Sequence, residues 1–384
     1  MIVPSHAEEV AYTDPDRRDF VKSMCVMAAA AVGLPATAAD AFAQAVARKR
    51  PPVIWLSGQE CTGCTESLLR TSHPGLGTLV LDLISLDYHE ALSAAAGHQA
   101  EEAKRASMEE NAGQYVLVIE GAIPTKDGGI YCKIAGQTMV DAVHEAAENA
   151  GAIIAIGSCA SWGGIPSADP NPTGATGAPG VLQDYTVVTI PGCPANPYNF
   201  LGTVLQYATF GTLPALDELG RPVFAYGRTI HEDCPRRAHF DAGRFVETFG
   251  DEGHQQGWCL YKMGCKGPET YNNCSTQGFG EVGGAWPVGT GHPCFGCSEY
   301  GVAFNKPLFE TAEVLRLTPS ASFPEIHPEQ GPAISPWATG IAGAVGGLAI
   351  GGAAMASRQL GQYDPKMEEV KPESGSGSGG GEEA

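Results

Sequence analysis

Val53-Ile54-Trp55-Leu56-Ser57-Gly58-Gln59-Glu60-Cys61-Thr62-Gly63-Cys64 opens the folded part of the chain. It is a short apolar run, a Ser-Gly break and a Cys-x-x-Cys pair, and a helical stretch follows from Thr65. An apolar run of this length that stops at small residues reads as a buried strand. Similar runs recur at Leu79 to Leu86, Tyr115 to Ile119, Ala152 to Ile156 and Thr186 to Ile190. Helical segments lie between them, notably Tyr88 to Asn111 and Gln137 to Ala150. Buried strands alternating with helices indicate a parallel, doubly wound α/β sheet.

The cysteines fall at the ends of those strands. Cys61 and Cys64 follow the first strand, Cys159 follows Ala152 to Ile156, and Cys193 follows Thr186 to Ile190. Ligands of open α/β sheets collect at the carboxyl ends of strands, so these four are expected to converge, and four thiolates suit one [4Fe–4S] cluster. A Cys-x-x-Cys alone equally suits a redox dithiol or half a zinc site. Glu60 and Glu120 stand beside the set, as candidates for proton movement or as ordinary hydrogen-bonded carboxylates. Cys132, in the Gly-rich loop Asp127 to Gly136, has no partner at ligand spacing and reads as a buried structural thiol.

A second, denser set lies downstream. His231, Cys234, Cys259, Cys265, Cys274, Cys294 and Cys297 put seven soft or imidazole donors within 67 residues, more than one tetrahedral site takes. Spacing divides them. His231, Cys234, Cys259 and Cys265 make a set of four suited to a His/Cys3 [4Fe–4S] cluster, and Cys274, Cys294 and Cys297 make a set of three suited to [3Fe–4S]. Zinc remains open for the same ligands at this point. A turn-rich connection over 211–230 marks a domain boundary; beyond it Phe240 to Phe249 reads as a helix and Gly264 to Gly296 as nearly all loop. A region so poor in regular structure takes its stability from metal ligation.

The chain has 384 residues and is 43% hydrophobic, enough for two packed domains. Its formal charge of −20 excludes nucleic-acid binding and disfavours acidic substrates. Gly 50 and Pro 28 fit backbone that wraps inorganic cofactors through tight turns.

The two ends carry targeting signals. Arg17-Arg18-Asp19-Phe20-Val21-Lys22, an Ala-rich run from Met24 to Leu34 and small residues near Ala43 and Ala47 match a twin-arginine signal peptide over 1–47, which also contains Cys25. That route exports proteins already folded around cofactors. Ala338 to Ala356 is uncharged and long enough to cross a bilayer, with Gly343, Gly347 and Gly351 on one helical stripe. Arg358, Lys366 and Lys371 follow it, so the tail faces the cytoplasm; its Gly/Ser/Glu-rich end, Glu373 to Ala384, reads as disordered.

Taken together, the RRDFxK signal, Cys61-Thr-Gly-Cys64, Ser158-Cys159-Ala160, Pro191-Gly192-Cys193-Pro194, His231-Glu-Asp-Cys234-Pro-Arg and Gly291-His-Pro-Cys294-Phe-Gly-Cys297 resemble the small subunit of membrane-bound, periplasm-facing [NiFe] uptake hydrogenases. The resemblance runs from about Arg17 to Glu310. It implies a flavodoxin-like domain over 51–215, an irregular iron–sulfur domain over 225–310, a transmembrane helix over 335–358 and a cytoplasmic tail over 359–384. It further implies three clusters in a line: a proximal one on Cys61, Cys64, Cys159 and Cys193, a medial [3Fe–4S] on Cys274, Cys294 and Cys297, and a distal one on His231, Cys234, Cys259 and Cys265. The nickel–iron centre would belong to a separate large subunit, and a membrane cytochrome b or similar quinone-linked protein would accept the electrons. Oxygen-tolerant members of the family carry two additional cysteines, at places held here by Gly63 and Gly164, so an oxygen-sensitive enzyme is expected. Two competitors are a related quinone-reductase subunit, which would lack the signal and the second ligand region, and a membrane-tethered zinc protein.

Overall fold

The computed structural model describes residues 50–72, 75–79, 83–278 and 284–315. The expected signal peptide, membrane span and tail lie outside the described residues. No helix among the described residues is long and apolar enough to cross a membrane.

Five parallel strands form the central sheet: β1 (Pro52–Ser57), β2 (Ser85–His89), β3 (Val116–Glu120), β4 (Ala152–Ile156) and β5 (Val187–Ile190). Their spatial order is β2-β1-β3-β4-β5, the flavodoxin-like arrangement, whose switch point lies between β1 and β3. Registers are continuous from Val53 opposite Val116 to Val116 opposite Ala152. The side chains alternate as the pleat demands. Val53, Trp55, Val116, Val118, Ile154 and Ile156 pack on one face with Leu68 of α1 (Gly63–Leu69) and Phe200, Leu201 and Val204 of α5 (Pro197–Phe210). Ile54, Leu56, Leu117, Ile119, Ile153 and Ala155 pack on the other. There they meet Met108 of α2 (His98–Glu110) and Met139, Val143 and Ala146 of α3 (Met139–Ala147). Both faces are dry, which explains why the strands read as continuous apolar runs rather than alternating ones.

Three boundaries differ from the sequence reading. Leu79, Leu83 and Ile84 are buried but precede the strand, which begins only at Ser85. An apolar run alone does not separate a buried turn from a strand. Tyr88 and His89, assigned above to a helix, end β2 opposite Ile54 and Trp55, and the helix starts at His98. Phe240 to Phe249 is not a helix. The helix there is Arg237–Asp241, and the chain then extends so that Phe245 bridges Cys259 and the Val246 amide donates to the Cys259 carbonyl at 2.9 Å.

The segment over 211–230 is anchored to the sheet rather than slack. Thr189 at the edge strand donates its amide to Gly220 O at 2.9 Å and its hydroxyl to Leu219 O at 2.8 Å. Beyond it, among the described residues, only helices of about one turn occur, including Tyr261–Met263, Gly267–Glu269 and Cys274–Gln277. Ile230, Val246, Leu260, Trp286 and Val288 form a small core there, and Cys234, Cys274 and Cys294 are part of it.

Candidate metal centres

The carboxyl ends of β1, β4 and β5 lie side by side or one strand apart, and each delivers thiols. After β1 the chain turns through Thr62 and starts α1, whose first turn carries Cys64. Glu120, at the end of β3 and 2% exposed, accepts the Cys64 amide at 2.9 Å and the Thr65 amide at 3.2 Å, so it satisfies the open N-terminus of that helix. α4 (Gly157–Trp162) starts directly after β4 and carries Cys159. Gly157 is required here: its φ is +83°, and a Cβ would lie 2.4 Å from Cys64 Sγ. Cys64 is buried, whereas Cys61 and Cys193 are exposed.

Burial pushes the Cys64 thiol well up, and the charges of Glu120, Cys159 and Cys193 push it further. Cys193 rises to about 11, first from burial and then from Cys297, Cys159 and Cys61. Burial raises Cys159, with Cys61 and Glu120 adding to it. Cys64, Cys159 and Cys193 thus each feel at least one other thiol of the set. Ionising them together needs a compensating cationic core, which is what a metal group supplies.

His231, Cys234, Cys259 and Cys265 line one cavity, together with Ile230, Arg236, Leu260, Tyr261 and Val288. His231 is 5% exposed, its ring packs edge-on against Phe240 at 4.5 Å, and its buried Nε2 has no hydrogen-bond partner among the described residues. Burial, then the neighbouring Arg237, lowers its imidazole to about 4. A neutral ring with an orphaned nitrogen beside three thiols suits a metal ligand. Burial lifts Cys234 to about 12 and Cys259 to about 11, and it also raises Cys265.

Cys274, Cys294 and Cys297 lie between these two sets. Burial raises all three, most strongly Cys294, whose other neighbours are the Cys265 and Cys297 charges. The Cys294 amide donates to Cys265 Sγ at 3.3 Å, and the Cys193 thiol is raised by the Cys297 charge beside it. The three sets are thus in series. Among the described residues no three His, Cys, Asp or Glu side chains close around a single ion.

Several expectations change. Cys132 is only half-buried, packed against the α3 face of the sheet, and burial and then Glu90 and Glu60 raise its thiol. Glu120 is a hydrogen-bonded structural carboxylate, whereas Glu60 holds one buried oxygen without a partner among the described residues, and burial followed by Glu120 raises it. Trp55, Thr65, His89 and Arg221 carry the buried polar network and were missed. Only their places in apolar or turn-like runs hinted at burial, and those places do not show what a side chain bonds.

Known proteins share this geometry. Residues 61–207 match the family described as NADH ubiquinone oxidoreductase, 20 Kd subunit, and residues 226–310 match the C-terminal family of the NiFe/NiFeSe hydrogenase small subunit. The second match separates the chain from the quinone-reductase alternative. The Hydrogenase-2 small chain of Escherichia coli (strain K12) is 55% identical over 352 residues, 91% of this chain and 94% of that one. The Quinone-reactive Ni/Fe-hydrogenase small chain of Wolinella succinogenes is 49% identical over 287 residues, 74% and 80% of the two chains. The structure of a reduced, active form of the Ni-Fe-Se hydrogenase from Desulfomicrobium baculatum superposes with a TM-score of 0.64 at 35% identity, covering 68% of this chain and all of that one.

A flavodoxin-ordered sheet with thiol sets in series is the architecture of an electron-carrying protein. The chain belongs to the family of [NiFe] hydrogenase small subunits. As such it pairs with a large subunit, and the pair is a hydrogenase.

Proposed function

We propose that this chain conducts electrons between the nickel–iron centre of the large subunit, where H2 ⇌ 2H+ + 2e−, and a membrane acceptor, through three iron–sulfur clusters. Cys61, Cys64, Cys159 and Cys193 would hold the proximal [4Fe–4S] group. Cys274, Cys294 and Cys297 would hold the medial [3Fe–4S] group, and His231, Cys234, Cys259 and Cys265 the distal [4Fe–4S] group. When bound, these groups supply one-electron storage at three stations. The observation that carries the reading is the serial order of the thiol sets, with the Cys193 thiol feeling the Cys297 charge and the Cys294 amide donating to Cys265 Sγ at 3.3 Å.

The chain's own residues do the rest. Burial keeps water from the inner thiols, Glu120 holds the Cys64 turn, and the neutral His231 ring offers a ligand without adding an anion. The spread-out donors favour clusters over zinc, because bridging sulfide spans distances one ion does not.

The acceptor would be a membrane cytochrome b or similar quinone-linked protein; the relative described as quinone-reactive supports this reading. Export by the twin-arginine signal over 1–47 and anchoring by the helix over 335–358 would put the clusters on the periplasmic face. Gly63 and Gly164, in place of two further cysteines, support the oxygen-sensitive type.

Iron and acid-labile sulfide analysis of the purified complex, with EPR of the oxidised state, tests the assignment. A [3Fe–4S] signal is expected. Zinc with no such signal would overturn it.

A further inference from the structure

Lys104, Arg221, Arg237 and Lys266 are the buried Lys and Arg side chains among the described residues. Three of them sit on carboxylates: Lys104 on Glu101 at 2.6 Å, Arg221 on Asp217 and Glu299 at 2.7 and 2.9 Å, and Arg237 on Asp241 at 3.0 Å. Lys266 is the exception. It is 2% exposed, its Nζ donates to the backbone carbonyl oxygen of Glu310, and among the described residues it forms no ion pair. Glu269, three residues on, is taken by Lys306 at 2.7 Å. A buried ammonium that faces only a carbonyl dipole is costly unless an anion nearby compensates it.

The place of Lys266 says where that anion lies. It directly follows Cys265, its amide donates to the Cys294 carbonyl oxygen at 2.9 Å, and its carbonyl accepts the Thr270 hydroxyl at 2.6 Å. The residue is therefore fixed where the set holding Cys265 meets the set holding Cys294. Burial raises the Cys265 thiol, and the Gly267 and Cys294 amides and the Arg236 and Lys266 charges oppose that rise. Arg236 is only half-buried and donates to the Trp258 carbonyl oxygen at 2.9 Å. Lys266 is thus the more deeply buried of the two cations on this sulfur. Three thiolates with one neutral imidazole leave a four-iron group net negative, and reduction adds a further negative charge. A cation fixed beside it in a dry site, little screened by salt, favours the reduced form.

We propose that Lys266 is the fixed counter-charge of the distal site: its buried ammonium, held by the Glu310 carbonyl, makes the group on His231, Cys234, Cys259 and Cys265 easier to reduce. This rests on the cluster assignment proposed above. In the step it favours, one electron leaves the medial group, which is oxidised, and enters the distal group, which is reduced. Lys266 keeps all its protons and changes no oxidation state.

The test uses the intact heterodimer carrying Lys266→Met, Lys266→Gln or Lys266→Arg. Gln keeps a donor for the Glu310 carbonyl without the charge, Met removes both, and Arg keeps the charge. Iron, sulfide and EPR signals report loading, and EPR-monitored titration gives the distal potential, with the proximal potential as internal reference. In K266M and K266Q the expected result is full loading, an unchanged proximal potential and a distal potential shifted negative by about 59 mV, tenfold in the one-electron equilibrium. K266R holds the wild-type potential. A loaded K266M or K266Q with the wild-type distal potential overturns the proposal. So does loss of distal iron from both, which would make Lys266 a structural requirement rather than a counter-charge. Zinc in place of iron in the wild-type complex would instead sink the cluster assignment itself, so the two failures are distinguishable.

Discussion

Trp55 Nε1 donates to Glu120 Oε2 at 3.0 Å across the neighbouring strands β1 and β3. The same carboxylate takes the Cys64 amide at 2.9 Å, the Thr65 amide at 3.2 Å and the Thr65 hydroxyl at 2.5 Å. Four buried donors therefore depend on one side chain. Removing it strands them in a dry site, where each orphaned donor costs about 1–3 kcal/mol before relaxation. Glu120→Ala is expected to lower unfolding free energy by roughly 3 kcal/mol and to reduce iron loading. Glu120→Gln, which keeps the shape, should lose less. Denaturant titration of the complex checks the order, and an E120A complex as stable as wild type would contradict it.

His89 extends this network and gives it a pH dependence. Its Nδ1 accepts the Ala91 amide at 3.1 Å, so the neutral ring carries its proton on Nε2 and donates to Thr65 Oγ1 at 3.0 Å. The ring is 1% exposed, and burial lowers its pKa to about 4. The unfolded chain takes up a proton near 6.5, so between 6.5 and 4 the unfolded state holds more protons than the folded one. Stability is complete above that window and is lost as pH falls through it, by at most about 3 kcal/mol. Unfolding midpoints of wild type and His89→Gln between pH 7 and 4 should converge as pH falls; parallel curves would refute the assignment.

Gly157→Ala tests the inner site sterically. A methyl group would lie 2.4 Å from Cys64 Sγ at a φ of +83°, so either the sulfur or the backbone must yield. The expected product is a complex that lacks the iron of one four-iron cluster and keeps the [3Fe–4S] EPR signal. Full iron content would show that Cys64 has room to move.

Arg221 is 5% exposed and is held between Asp217 at 2.7 Å and Glu299 at 2.9 Å, over the rings of Tyr226 and Tyr271. Glu299 also accepts the Tyr271 amide at 3.1 Å. Arg221→Met leaves two carboxylates facing each other without a cation, and breaking a buried pair this way costs about 3–5 kcal/mol. Thermal unfolding should show the loss. Arg221→Met with Glu299→Gln should recover part of it, because the remaining carboxylate no longer faces a like charge.

In air, protein-film electrochemistry of the complex should show hydrogen-oxidation current falling away. The position held by Gly164 has φ +52°, and a Cβ there would lie 2.7 Å from Cys159 Sγ, so a cysteine does not enter without moving a neighbouring thiol. Sustained current in air would contradict the oxygen-sensitive reading.

The sheet was legible because Val116 to Ile119 and Ala152 to Ile156 are buried on both faces and so form unbroken apolar runs. The thiol sets were legible because cysteine and histidine announce their chemistry at any depth. The beginning of β2 and the end of the Phe240 helix were not, since Leu83, Ile84 and Phe245 are apolar in either conformation and tertiary pairing decides between them. Ser158 and Arg221 were invisible for a different reason. Ser158 stands inside a recognisable motif, and Arg221 inside a turn, yet their value lies in partners 139 and 78 residues away, Cys297 and Glu299.

Cys64 is sealed inside the chain, whereas Cys61 and Cys193 of the same set are open to solvent. The chain builds one wall of this site and leaves the other open. If these thiols hold the proximal cluster as proposed, a small subunit waiting alone is a vessel without a lid, open to oxidants and chelators. The interval between loading and docking becomes its most vulnerable hour, and a cell that keeps the two subunits in matched supply protects metal already invested.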